Sequence, residues 1–171
     1  MQYSLLHLPA IMLYYNQKEE REVNNMTIAR QINFDMDGTI ANLYGVDGWL
    51  ECLMNKDVRP YAEAKPLVNL SALARVLNRL QRNGYQICVI SWLAKVDDDA
   101  YNKAVAEVKI AWLVKHLPSV KWDKISIVAY GTPKSVCGDG ILFDDEKPNR
   151  DEWVGVAYDV NNIIGVLKNL K

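Results

Sequence analysis

The sequence contains few of the side chains on which zinc sites and catalytic triads are usually built. Only two histidines, His7 and His116, and three cysteines occur in 171 residues. Two histidines are too few for a histidine-based zinc site and offer no obvious triad. Cys52, Cys88 and Cys137 show no paired spacing, and Cys88 lies within an apolar run. We therefore expect reduced thiols and a cytoplasmic protein.

An excess of charge of either sign is also absent. Twenty Lys and Arg residues stand against 21 Asp and Glu residues, which leaves a formal net charge of −1. The lack of a basic excess disfavours a nucleic-acid partner, and the lack of a large acidic excess argues against disorder. The longest apolar runs are far shorter than a membrane-spanning segment, so we expect no membrane partner.

The first 25 residues differ from the rest of the chain. The apolar run SLLHLPAIMLYY is followed by the polar and charged run NQKEEREVNN. No Lys or Arg precedes the apolar run and no small-residue cleavage site follows it, so it is a poor signal peptide. We expect residues 1–25 to be an N-terminal arm or extension, and residues 26–171 to form a single domain.

Short β-rich runs then alternate with helical patterns. The predicted strands are RQINFD, YQICVIS, KISIVAY, GILFDD and VGVAYD. The predicted helices are VNLSALARVLNRLQRNG, DDDAYNKAVAEVKIAWLVKHLP and NNIIGVLKNL. This alternation predicts an α/β fold, a Rossmann-like parallel sheet with helices on both faces.

The second predicted helix begins with three acids, Asp97 to Asp99, which suit the positive end of a helix dipole better than a metal site. Its predicted stripe runs through Ala104, Val108, Ala111, Trp112 and Lys115.

Polar side chains gather at the predicted ends of the strands. In a parallel sheet these ends lie on one edge, where functional sites are usually found. The residues concerned are Asp35, Asp37, Ser91, Lys134, Asp144 and Asp145. We therefore expect them to form one site, although an ordinary Asp-Gly turn would also explain the first two acids.

Carboxylates without histidine or cysteine beside them suit a hard cation such as Mg²⁺, which would hold the like charges together. Asp35 can act as a nucleophile toward a phosphoryl group. Asp37 lies two residues on and points to the same side of an extended chain, so it can serve as general acid and then base. Ser91 and Lys134 can hold the phosphoryl oxygens.

The backbone around the first acids is a second candidate for substrate binding. The N–H groups of residues 36–38 can point at phosphoryl oxygens, and Gly38 permits close approach. The candidate substrate-binding residues are Met36, Gly38, Thr39 and Trp92.

This ordered set resembles the motifs of the haloacid dehalogenase superfamily of phosphohydrolases. The first motif is similar to DMDGT, and the later motifs are a strand-end hydroxyl, a lysine and an acidic pair. The matching residues are Asp35, Asp37, Gly38, Thr39, Ser91, Lys134, Asp144 and Asp145. The resemblance covers about residues 32–162.

The resemblance implies a role for each residue of the motifs. Asp35 would be nucleophile and Mg²⁺ ligand, and Asp37 would be acid/base and a ligand through its backbone carbonyl. One of the acidic pair would complete the metal site, and we favour Asp145 over Asp144.

The second half of the chain is more narrowly similar to the 5′(3′)-deoxyribonucleotidase branch, which implies a nucleoside monophosphate as substrate. That branch carries a large helical cap after the first motif, whereas residues 41–66 leave room only for a small one. Tyr44 and Trp49 in this cap, and Trp92 beside the site, could stack on a base or pack the cap onto the core.

The leading hypothesis is a Mg²⁺-dependent phosphomonoesterase acting on a small phosphorylated substrate. A phosphorylated macromolecule is an alternative, because a small cap leaves the site open. A non-catalytic phosphate-binding module is another, because fold does not determine function. A homo-oligomer is compatible with the sequence.

Overall fold

A five-stranded parallel sheet forms the centre of the protein. The computed structural model describes residues 30–171, so the predicted arm at residues 1–25 lies outside it. The strands are β1 (Gln31–Phe34), β2 (Ala41–Asn42), β3 (Lys65–Pro66), β4 (Gln86–Trp92), β5 (Lys124–Val128), β6 (Ile141–Phe143) and β7 (Val156–Tyr158). The sheet has the order β5-β4-β1-β6-β7 with every pair parallel, while β2 and β3 form an antiparallel ribbon. The predicted α/β fold is confirmed.

The three predicted helices are present, with two short helices before the first of them and one between the second and the third. The helices are α1 (Trp49–Met54), α2 (Arg59–Glu63), α3 (Leu70–Arg82), α4 (Asp99–His116), α5 (Lys147–Glu152) and α6 (Ile163–Asn169). Side chains cap the two longest: Asn69 accepts from the Ala72 N–H, and Asp98 accepts from the Tyr101 N–H. The acids at the start of α4 therefore begin a helix, as predicted.

The two faces of the sheet are covered unequally. On one face the β-strand residues pack with α3, α4 and α6 into the main core, where the rings of Phe34 and Phe143 stack 5.2 Å apart. On the other face Ile90 and Leu142 pack with Trp153, which directly follows α5. The long helices thus share one face, and shorter segments cover the other.

Residues 41–66 lie over the carboxyl edge of the sheet and begin and end in the β2–β3 ribbon. Tyr61 of this segment packs with Tyr101 and Val105 of α4. The Trp112 Nε1–H, also on α4, donates to the Ala64 carbonyl at 2.7 Å. The small cap is therefore packed onto the body of the domain. Among residues 30–171 no helix is both long enough and apolar enough to span a membrane.

The buried stripe of α4 differs from the predicted one. The residues that face the interior are Tyr101, Val105, Lys109, Trp112 and Leu113, whereas Ala111 and Lys115 are exposed. The predicted and observed sets share only Trp112, because the prediction passed over Lys109, a charged residue that nevertheless faces the interior. Lys109 is fully buried.

Candidate active site

The order of the sheet brings the predicted acids together. β1 lies between β4 and β6, and Phe34 is in register with both Val89 and Phe143. The residues that follow, Asp35 after β1 and Asp144 after β6, therefore emerge side by side. The Asp35 N–H donates to the Phe143 carbonyl at 2.9 Å, which extends this pairing into the site.

Three carboxylates share one small volume. Asp35, Asp144 and Asp145 each present an oxygen, and these oxygens lie within 4.8 Å of one another. Burial, reinforced by the Asp35 and Asp144 carboxylates, raises the pKa of Asp145 to about 7. Burial and the Asp35 carboxylate raise the pKa of Asp144, and Lys134 opposes that rise. The cluster therefore requires a positive charge if it is to be fully ionised.

Lys134 supplies part of that positive charge. Its Nζ lies 2.7 Å from Asp35 Oδ1 and 2.5 Å from Asp144 Oδ2, and its side chain is 2% exposed. Burial lowers the pKa of Lys134, but Asp35 and Asp144 outweigh burial, so the pKa is raised overall. The lysine is held as an ammonium ion beside both acids by the short 3₁₀ turn Lys134–Val136.

Asp144 and Asp145, the acidic pair that follows β6, have different hydrogen-bond partners. The carboxylate of Asp144 accepts from Lys134, from the Asn149 amide and from the Glu146 N–H at 2.9 Å. Asp145 Oδ1 accepts from the Thr39 hydroxyl at 3.2 Å. Its second oxygen, Oδ2, has no hydrogen-bond donor within residues 30–171.

Gly38 allows Asp145 to sit against the first motif. Its φ of +77° is a left-handed conformation, and a Cβ at this position would lie 2.3 Å from Asp145 Oδ2. The Gly38 N–H donates to the Ala41 carbonyl at 2.8 Å, so this N–H is already engaged. Gly38 contributes to the site mainly by lacking a side chain.

The other residues predicted to bind substrate lie at different depths. The Met36 side chain is 1% exposed and belongs to the core, so only its backbone can face a ligand. In the described part of the chain, no acceptor pairs with the Met36 or Asp37 N–H. Thr39 is fully buried and its hydroxyl contacts Asp145, so its position supports that carboxylate.

Asp37 is paired with a residue that the sequence interpretation missed. Lys109 Nζ lies 2.5 Å from Asp37 Oδ2, 3.0 Å from Ser91 Oγ and 2.6 Å from the Trp92 carbonyl oxygen. Burial raises the pKa of Asp37; Lys109 opposes the rise and the Asp35 carboxylate adds to it. A lysine between Val105 and Trp112 in an apolar helical stripe is the signal that could have identified Lys109.

A cavity of about 350 Å³ opens between the acids and the cap. Its floor includes Asp35, Asp37 and Lys134, and its walls are largely aromatic and aliphatic. The aromatic lining residues are Tyr44, Trp49, Tyr61, Trp92 and Tyr130.

Trp92 faces this cavity. Its Nε1–H donates to the Thr132 carbonyl at 2.8 Å, and its ring lies 5.0 Å from that of Tyr130. Tyr44 and Trp49 form an edge-to-face pair with centroids 5.1 Å apart. All three rings are therefore fixed by contacts while remaining at the cavity wall.

Oxygen donors at these separations fit a hard divalent cation. The three carboxylates offer only oxygen ligands, and no described histidine or cysteine is among the metal-ligating groups that cluster there. Asp144 is saturated by Lys134 and Asn149, whereas Asp35 and Asp145 have oxygens with fewer partners.

No protein-family model matches the chain, and no curated protein matches it. Among solved structures the chain is similar to the D,D-heptose 1,7-bisphosphate phosphatase from Burkholderia thailandensis, with 13% sequence identity and a TM-score of 0.45. The similar region covers 71% of this chain and 70% of that one. A likeness of this size says nothing about the reaction, so any functional conclusion has to rest on the site itself.

Proposed function

We propose that the protein is a Mg²⁺-dependent phosphomonoesterase of the haloacid dehalogenase type, acting through an aspartyl-phosphate on Asp35. The observation that carries the proposal is the placement of Asp35 at the cavity floor. Lys134 holds one of its oxygens at 2.7 Å, and the acidic pair lies within 4.8 Å. A carboxylate held in this way and facing a cavity suits nucleophilic attack on phosphorus.

We assign three groups to hold Mg²⁺: Asp35, Asp145 and the backbone carbonyl of Asp37. Asp145 is preferred over Asp144 because the Asp144 carboxylate is already engaged by Lys134 and Asn149. When bound, the ion would offset negative charge on the acids and on the phosphoryl group.

The reaction divides into two displacements at phosphorus. An Asp35 oxygen forms a bond to phosphorus while the bond to the ester oxygen breaks, and Asp37 gives that oxygen a proton. Asp37, now ionised, takes a proton from water as the water oxygen forms a bond to phosphorus and the bond between phosphorus and the Asp35 oxygen breaks. The products are an alcohol and inorganic phosphate, and both carboxyl groups return to their starting states.

The phosphoryl oxygens need donors that are in place before the reaction. Lys134 contacts Asp35 and can reach an oxygen bound to the same phosphorus. The N–H groups of Met36 and Asp37 are further donors, as is the Ser91 hydroxyl. Gly38 lets these groups approach the substrate closely.

We propose a nucleoside monophosphate as the substrate, in the cytoplasm. Trp49 and Trp92 line the cavity beside the acids, and Leu50 and Met54 of α1 are exposed at its rim. Such a wall suits the flat apolar face of a base better than the hydroxyl groups of a free sugar phosphate.

The test is phosphate release from nucleoside 5′- and 3′-monophosphates, sugar phosphates, p-nitrophenyl phosphate and a 5′-phosphorylated oligonucleotide. Each is assayed with Mg²⁺ and with EDTA, using the protein and its Asp35→Asn variant. We expect Mg²⁺-dependent turnover of nucleoside monophosphates that the substitution abolishes. Turnover of the oligonucleotide alone would favour a macromolecular substrate. Folded protein that binds Mg²⁺ but hydrolyses none of these esters would contradict the proposal.

A further inference from the structure

Lys109 is a fully buried cation that contacts two of the proposed catalytic residues at once. It projects from α4 toward the carboxyl edge of the sheet, and its Nζ has three acceptors. These are the carboxylate of Asp37, the hydroxyl of Ser91 and the carbonyl of Trp92. Because an ammonium group has three N–H donors, every donor of Lys109 is used.

We propose that Lys109 is a positioning residue that fixes Asp37 and Ser91 in their reactive orientations. This inference rests on the proposed function, in which Asp37 is the acid/base and Ser91 binds a phosphoryl oxygen. Lys109 itself acts through these two side chains.

The contact with Asp37 determines which carboxylate oxygen is available. Lys109 engages Oδ2 at 2.5 Å, so Oδ1 is the oxygen left to exchange a proton with the substrate. The Asp37 side chain is 18% exposed, which is consistent with one oxygen facing the cavity. Small errors in the orientation of an acid/base reduce the rate strongly, so holding one oxygen contributes directly to turnover.

The contact with Ser91 determines the direction of its hydroxyl hydrogen. Lys109 can only donate, so Ser91 Oγ accepts this hydrogen bond at 3.0 Å. The hydrogen of Ser91 is left for a separate acceptor, and we assign a phosphoryl oxygen bound at Asp35 to that position.

Packing alone does not explain a lysine at this position. Its neighbours along the stripe are Val105 and Trp112, and the ring of Tyr61 lies 5.0 Å from its Nζ. A methionine would fill similar space without placing a charge in the interior. Buried ion pairs contribute little net stability compared with apolar residues of similar size, so the charge has to be explained by the site.

The two displacements at phosphorus provide the test, because they depend differently on Asp37. In the first, p-nitrophenolate can leave without a proton, whereas an alkoxide needs one from Asp37. Three proteins are compared: the full chain, its Lys109→Met variant and an Asp37→Asn reference. Each is mixed rapidly with p-nitrophenyl phosphate or with glycerol phosphate in a buffer that contains Mg²⁺. For Lys109→Met we expect first-turnover release of p-nitrophenolate within about threefold of the unaltered protein, followed by slow steady-state turnover. Steady-state turnover of glycerol phosphate should fall about 100-fold with little change in KM, the usual range for loss of an acid/base.

A matched control is Lys103→Met, which removes an exposed lysine from the same helix and should leave both steps unchanged. The Asp37→Asn/Lys109→Met double variant should be no more than about threefold slower than Asp37→Asn alone, because the proton transfers depend on Lys109 through Asp37 and only the smaller effect passes through Ser91. A Lys109→Gln variant keeps two N–H donors but loses the charge, and it should retain part of the activity. It also serves as the test protein if Lys109→Met does not fold.

Equal loss of the first turnover and of the steady state on both esters would show a general structural role and overturn the proposal, as would unchanged kinetics. Absence of turnover by the unaltered protein would instead contradict the proposed function.

Discussion

Lys134 Nζ lies 2.7 Å from Asp35 Oδ1, so the assigned nucleophile has a cation beside it before any ligand arrives. The same Nζ lies 2.5 Å from Asp144 Oδ2. Lys134 thus joins the ends of β1 and β6 and offsets the repulsion between their acids. Asp37, two residues from Asp35, has its own lysine in Lys109. Each of the two acids of the first motif is therefore paired with a separate buried cation.

Replacing Lys134 with methionine should destabilise the metal-free protein. The substitution leaves Asp35 and Asp144 buried without their counter-ion, and breaking such a pair typically costs about 3–5 kcal/mol. The free energy of unfolding is measured by urea denaturation in EDTA at pH 8. Lys121→Met, at a lysine whose side chain is 84% exposed, should change it by less than about 0.5 kcal/mol. A loss below about 1 kcal/mol for Lys134→Met would show that the acids do not depend on this lysine.

Thr39→Val should weaken Mg²⁺ binding while preserving shape. The Thr39 hydroxyl donates to Asp145 Oδ1, and the Asp145 N–H donates to the same hydroxyl, both at 3.2 Å. Losing the group that orients a ligand typically reduces metal affinity by about 10- to 100-fold. Isothermal titration with Mg²⁺ measures this, and Ser71→Ala on the exposed start of α3 is the control. Equal Mg²⁺ affinities for Thr39→Val and Ser71→Ala would show that Thr39 does not orient a metal ligand.

The sequence alone was sufficient to predict the class of fold and the edge of the sheet at which the acids of the candidate site meet. Asp35 and Asp144 each follow an apolar strand, and parallel strands bring such positions together. The contact between Lys109 and Asp37 could not be predicted, because it joins residues 72 positions apart through the packing angle of α4. The contact between Thr39 and Asp145 could not be predicted either, because a threonine in a turn can contact substrate, backbone or a carboxylate. Its partner is decided by the β1–β6 pairing and not by the local sequence.

The stability of the metal-free protein should fall as the pH rises from about 4 to about 7. Burial, together with the Asp35 and Asp144 carboxylates, raises the pKa of Asp145 from its ordinary value of 3.8 to about 7, so the folded protein holds this proton more tightly than the unfolded chain. The contribution of Asp145 to stability is therefore greatest below its pKa in the unfolded chain. It declines between that pKa and the higher pKa of the folded protein, and it is constant above the higher value.

Thermal unfolding in EDTA across this range measures the effect, and Asp145→Asn should flatten the decline. Because the pKa values of Asp37 and Asp144 are also raised, part of the slope should persist in the variant. A variant as steep as the unaltered protein would show that Asp145 does not hold a proton near neutral pH.

Trp49→Ala should raise KM for a nucleoside monophosphate without altering the chemistry. Trp49 lies in the cavity wall and its ring is held edge-to-face by Tyr44, so it is placed to stack on a base. Stacking on an aromatic side chain contributes about 1–3 kcal/mol per base, which corresponds to a rise in KM of about 5- to 140-fold. Trp49→Phe keeps a ring and should retain most of the affinity, while glycerol phosphate, which has no base, should show the same KM with all three proteins. If Trp49→Ala raises KM equally for both esters, Trp49 supports the fold of the cap, and the specificity for a base has to come from another aromatic residue of the cavity lining, such as Trp92 or Tyr130.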